Sequence, residues 1–205
     1  MMKKFAAILC AAVMSLGMVS SVMANPSIQD ATIEKQDVVV AEETAQIIPE
    51  GKKLVVMEAA PDKYESKEAA EVVTKLNDPK TTITMKEMLD ILKVDTTKEI
   101  KTESGNVINP SEYEPISKFA DLVLTDGTTV EYDINGEVKA VKATVKAEAL
   151  KDVKDIKDCV LMQIDPKAGE VYFIESDEES YVPETGEVTV TFPCLGPFCV
   201  LEKAE

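Results

Sequence analysis

Three cysteines beyond the N-terminal segment, Cys159, Cys194 and Cys199, are the side chains best suited to covalent or metal chemistry in this chain. Cys194 and Cys199 flank Leu195-Gly196-Pro197-Phe198, where a Gly-Pro turn would fold the chain back far enough to join the sulfurs as a disulfide. Cys159, expected on a neighbouring strand, competes for either partner. Three reduced, buried thiols are the other reading. An odd count leaves at least one thiol free or paired between molecules. A three-thiolate zinc site would find no histidine for its fourth ligand and no short Cys-x-x-Cys pair, so no metal site is expected.

The chain contains no histidine, arginine or tryptophan. Histidine-based hydrolysis is thereby excluded, as are bidentate guanidinium clamps and tryptophan platforms for sugars. Glycine-rich phosphate loops are absent as well. Carboxylate-only hydrolysis survives, since glycosidases need just two acids about 5 to 9.5 Å apart. The expectation is nonetheless a protein that is not an enzyme and carries no cofactor. Sugar stacking would fall to tyrosines. Tyr172, opposite in phase to Phe173, and Tyr181, beside the acidic run at 176–180, are the candidate ligand contacts. That run lacks the spaced acids and glycine of a calcium loop and reads as a solvated turn.

The formal charge is −16. Such a surface repels phosphate backbones and anionic lipids, so nucleic acid and membrane surfaces are poor partners. An unknown protein or polysaccharide partner is expected instead.

Lys3 and Lys4, an apolar run from Phe5 to about Val19, and Val22-Met23-Ala24 make a signal peptide spanning 1–24. Cys10 lies inside that apolar run behind bulky Ile8 and Leu9, unlike a lipidation site. Cleavage would leave a secreted, extracellular protein of charge −18, with no membrane insertion afterwards. Residues 25–50 form a flexible acidic leader in which Val38-Val39-Val40 could add an edge strand.

Residues 51–115 make a small helical and strand segment. Leu54-Val55-Val56-Met57 reads as a strand. Ser66 caps a helix whose Ala69, Val72, Val73 and Leu76 share one face, and Asn77-Asp78-Pro79 ends it. Thr84-Met85-Lys86-Glu87 is a capping box, with Ile83 and Met88 as a hydrophobic staple and Met85, Met88, Leu89 and Leu92 as a buried stripe.

Residues 116–205 read as an antiparallel β-sandwich-like module. Leu122 and Leu124, then Val130, Tyr132 and Ile134, alternate with polar neighbours around Asp126-Gly127 and Asn135-Gly136, predicting a meander from Ala120 to Lys142. Cys159–Met162 and Val171–Ile174 are apolar on both faces, as central strands are. Val188, Val190 and Phe192 alternate with threonines, and Phe198, Val200 and Leu201 suit a last strand. Gly-Glu-Val recurs at 136–138, 169–171 and 186–188, each marking a turn into a strand. The fold class is α+β: a short helical N-terminal segment plus an antiparallel β-sandwich in the C-terminal half.

The stretches 150–154, 164–171 and 190–198 resemble the terminal β-rich module of exported, uncharacterised proteins of Gram-positive anaerobic bacteria. The resemblance implies export and a β-sandwich, and carries over no catalytic residue. The expected function is an exported non-enzymatic accessory, adhesion or scaffolding protein acting by surface contact at or beyond the cell envelope. The alternative is a carbohydrate-binding module using exposed tyrosines and carboxylates.

Overall fold

The computed structural model describes residues 33, 35–45, 47–127, 140–151 and 153–204. The expected signal peptide, the strand around Tyr132 and the Asn135-Gly136 turn lie outside them. Within them the protein is mostly antiparallel sheet.

Three strands, β1 (Gln36–Asp37), β2 (Val39–Val40) and β3 (Leu54–Glu58), precede the two main helices, with the single turn α1 (Glu42–Ala45) between β2 and β3. The helices are α2 (Lys67–Asn77) and α3 (Met85–Ile91). There follow β4 (Ile100–Lys101), β5 (Val107–Ile108), β6 (Tyr113–Pro115), β7 (Ala120–Leu124) and β8 (Val141–Lys146). The last four are β9 (Cys159–Ile164), β10 (Val171–Glu175), β11 (Glu187–Phe192) and β12 (Gly196–Lys203). The larger sheet runs β1-β3-β7-β12-β9-β10, with β6 on the far end of β12; the smaller runs β11-β8-β2; β4 and β5 pair with each other. The helices are therefore inserted between strands of one sheet and are not an N-terminal segment ahead of a β half.

Local chemistry explains both helices. Ser66 Oγ accepts from Ala69 N at 3.2 Å, and Asp78 closes the other end of α2. At α3, Thr84 Oγ1 accepts from Glu87 N at 3.2 Å while Thr84 N donates to Glu87 Oε2 at 2.8 Å, the reciprocal pair of a capping box. The apolar stripes of both helices are buried with Val160, Met162, Ile164, Phe173, Cys199 and Leu201 of the larger sheet. Helices and strands thus share one core.

A second core collects Leu54, Val56, Leu122, Leu161, Phe198 and Val200 of the larger sheet with Val141, Val145, Val188, Val190 and Phe192 of the smaller. Alternation along β12 divides its side chains between the two cores. Phe198 also meets Phe192 edge-on, centroids 5.2 Å apart.

Several sequence expectations change. The described ends of the meander expected from Ala120 to Lys142 lie in different sheets: β7 lies between β3 and β12, and β8 pairs with β11 and β2 in the other sheet. All five residues of β7 are buried, so its apparent alternation is not a solvent-facing one. Strand β10 ends its sheet rather than sitting centrally, although both its faces are packed. By contrast β11 alternates as its threonines suggested.

From residue 36 the expected flexible leader is tied down. Val39 and Val40 form β2, and two side chains extend the pairing along β8. Gln36 Nε2 donates to Lys146 O at 2.7 Å while Lys146 N donates to Gln36 Oε1 at 3.1 Å. Thr44 Oγ1 likewise donates to Lys142 O and accepts from Lys142 N. The outer edge of β11 meets Asp177, Ser180 and Val182, and Glu103 N donates to Phe173 O on β10. Bare strand edges invite pairing with another chain, and these contacts blunt them.

Candidate functional site

The thiols are placed first. Gly196-Pro197 does not turn the chain back; it opens β12, with Pro197 opposite Asp121 of β7. Cys194 therefore precedes the strand while Cys199 points into the helix-side core, and no disulfide joins them. Cys159 faces the other core. Burial pushes the Cys159 thiol up to about 12 and raises Cys194 and Cys199 as well, which keeps them protonated and poor as nucleophiles or ligands. Among the described residues no group of three or more His, Cys, Asp or Glu side chains is placed to hold a metal ion.

Of the tyrosines, Tyr64 and Asp121 pair beneath the β3–α2 connection. Tyr64 Oη donates to Asp121 Oδ1 at 2.5 Å and Ala60 N donates to Asp121 Oδ2 at 2.9 Å. Burial raises the Asp121 carboxyl, and burial together with that carboxylate raises Tyr64. Tyr181 is half-buried against the core, its hydroxyl donating to Leu150 O at 2.5 Å, so the ring braces the 148–150 turn. Tyr172 is half-buried too, but it lines a groove.

That groove, of about 450 Å³, runs between the residues that follow α3 (92–94) and the β9–β10 connection with the start of β10 (168–172). Each wall has a local cause. After β9, Asp165 Oδ1 accepts from Lys167 N at 2.7 Å and Ala168 N at 3.0 Å, and Asp165 N donates to Glu170 O at 2.8 Å. Ser66 N donates to Pro166 O at 2.9 Å, fastening the start of α2 to this turn. On the opposite wall Val94 N donates to Leu89 O and Lys93 N to Asp90 O, closing α3 around Lys93 with φ +58°. This is the left-handed position that glycine ordinarily fills after a helix.

Polar groups converge on the groove. Tyr172 Oη donates to Glu170 Oε2 at 2.8 Å. Burial and that carboxylate raise the Tyr172 phenol, so it remains a donor. Lys93 Nζ lies 2.5 Å from Glu68 Oε1 on the first turn of α2, and its hydrogen bond holds the Glu68 carboxyl below the usual range. Among the described residues the result is one aromatic ring, aliphatic Leu92, Val94 and Val171, the Lys93 ammonium on one side, and the Tyr172 hydroxyl and Glu170 carboxylate on the other. Comparison with protein-family models, curated proteins and solved structures finds no match.

Sequence reading found Tyr172 but not Lys93 or Glu170. Lys93 follows the last residue of the buried stripe, Leu92, and the absence of glycine there was the available signal. Replacing it makes a clean test of the backbone. Lys93→Gly is expected to raise stability by about 1 kcal/mol by relieving the left-handed strain. Urea denaturation measures this, and a destabilised variant would mean that the exposed Glu68 pair outweighs the strain.

Proposed function

We propose that this is an exported, non-enzymatic accessory, adhesion or scaffolding protein that acts by surface contact at or beyond the cell envelope, with its two main sheets packed as a β-sandwich. Export rests on the Lys3-Lys4, apolar and Ala24 pattern and on the resemblance of the last strands to modules of exported Gram-positive proteins.

One observation carries the contact reading: the groups best able to react are committed to holding the fold. The thiols are buried, Tyr64 and Asp121 satisfy each other, and Glu87 and Asp165 cap a helix and a turn. Beside them the protein presents an acidic exterior to a partner. A partner drawn by that charge should be captured from envelope extracts at low salt and released at high salt. Purified protein immobilised on a column and eluted by a salt gradient measures this; retention of nothing at low salt overturns the reading.

The groove favours a second reading, a carbohydrate-binding module. Tyr172 with Glu170 offers an aromatic surface beside a hydrogen-bonding acid, the pairing sugars require. Retention of a glycan that persists at high salt would favour this one.

A further inference from the structure

We propose that the groove between residues 92–94 and 168–172 is a site for a single neutral pyranose unit, with Lys93 and Glu170 as its polar contacts and Tyr172 as its aromatic wall. The proposal rests on the carbohydrate reading and names its site and ligand class.

Size comes first. About 450 Å³ lies within the roughly 300–1,000 Å³ of small-molecule sites. Among the described residues one aromatic ring lines it, and Tyr181, the other tyrosine with a claim to sugar contact, is turned to Leu150 O. The site therefore has room and stacking surface for one ring rather than for an extended chain.

Charge narrows the ligand. The Glu170 carboxylate in the wall stands against an anionic sugar, and the Lys93 ammonium in the opposite wall stands against a cationic one. A neutral polyol meets both kinds of group as hydrogen-bonding partners: Lys93 Nζ donates and Glu170 accepts.

The backbone adds an independent argument. Lys93 occupies a left-handed position where glycine would be relaxed. Its pairing with Glu68 does not account for a lysine there, because the Lys93 side chain is 75% exposed and that of Glu68 38%, so solvent screens the attraction. Strained residues that persist tend to cluster at ligand sites, and this one stands at the mouth of the groove. The walls are also preset. The Asp165 turn, the Ser66–Pro166 bond and the closure of α3 hold them before any ligand arrives, which limits the ordering that binding would require.

The test is isothermal titration of the purified protein with neutral gluco-, manno-, xylo- and chito-hexaose and with anionic oligogalacturonate. The variants are Tyr172→Ala, Lys93→Gly and Tyr181→Phe. At least one neutral sugar should bind, with about tenfold weaker affinity after Tyr172→Ala, as expected for losing one aromatic contact. Lys93→Gly should weaken it similarly while melting no lower than wild type, which separates binding from folding. Tyr181→Phe should leave affinity unchanged. Neutral-sugar binding that survives both groove variants overturns the site and leaves the carbohydrate reading standing. Oligogalacturonate as the preferred ligand overturns the neutral assignment, and no binding to any sugar overturns the site together with that reading.

Discussion

Gly186→Ala is expected to lower stability by about 3 kcal/mol or more, from left-handed strain plus a backbone clash. Gly186 has φ +66°, and an added Cβ would stand 2.3 Å from Ala147 O and 3.2 Å from Lys151 Cγ. The Ala147 carbonyl belongs to backbone that is already hydrogen-bonded to Gly186. Ala147 N donates to Gly186 O at 3.0 Å where β8 leaves the smaller sheet, and Gly186 N donates to Val182 O at 2.8 Å. Making room therefore disturbs the end of β8 where Lys146 pairs with Glu187, the first residue of β11. At roughly 2 to 4 °C per kcal/mol for a chain of this size, the melting temperature should fall by about 6 to 12 °C. Gly51→Ala is the control. Gly51 also has positive φ, at +78°, but nothing lies within 4 Å of its added Cβ, so only the backbone strain applies. Equal losses at the two positions would remove the clash from the account.

Asp121→Ala should be about as damaging for a different reason. It strips the acceptor from Ala60 N–H and Tyr64 O–H together, and an unpaired buried polar group costs about 1 to 3 kcal/mol. Asp121→Asn keeps one of the two acceptor oxygens and removes the buried charge, so near pH 7 it should cost less than Asp121→Ala. The pH dependence follows from the raised carboxyl. Burial is its main cause, while Tyr64, Ala60 and Lys63 pull the other way. Such an acid binds more protons folded than unfolded. Its contribution to stability is then fullest below its unfolded value of 3.8 and is lost as pH rises through the folded pKa. Wild type should thus gain on Asp121→Asn as pH falls from 7 to 4. Asp95, lowered to about 2 by Thr97 and Lys98, and Glu87, lowered by Thr84, work in the opposite sense. Both proteins carry them, so they cancel in the difference. Urea titrations at several pH values read it, and a difference flat with pH would mean that Asp121 is not a buried charge.

What could be read in advance was whatever is decided locally. Helix caps at Ser66 and Thr84 involve residues three apart, and the alternation of Val188, Val190 and Phe192 reports which face is buried. Strand neighbours are another matter. The partners of β7 come from before the helices and from β12, far outside any window around Leu122. Val171–Ile174 shows the same limit: apolar residues on both faces mean that both faces are covered, which is true of β10, and say nothing about how many strands flank it. The groove was half legible. Tyr172 is marked by its residue type and phase, but Lys93 is an unremarkable surface lysine until its φ is known. Asp121 sat in plain view, a lone acid within the apolar run from Phe119 to Leu124.

Strand β12 follows, in the order of synthesis, every strand that it joins: β6, β7 and β9. Until residues 196–203 leave the ribosome, the larger sheet exists only as separate pieces, β3 with β7 and β9 with β10, and Phe198 and Val200 are missing from the core between sheets. Local turns and helices can form early, but pairing across such long stretches of sequence is slow. β3 with β7 and β9 with β10 therefore become one sheet only once β12 is available to join them.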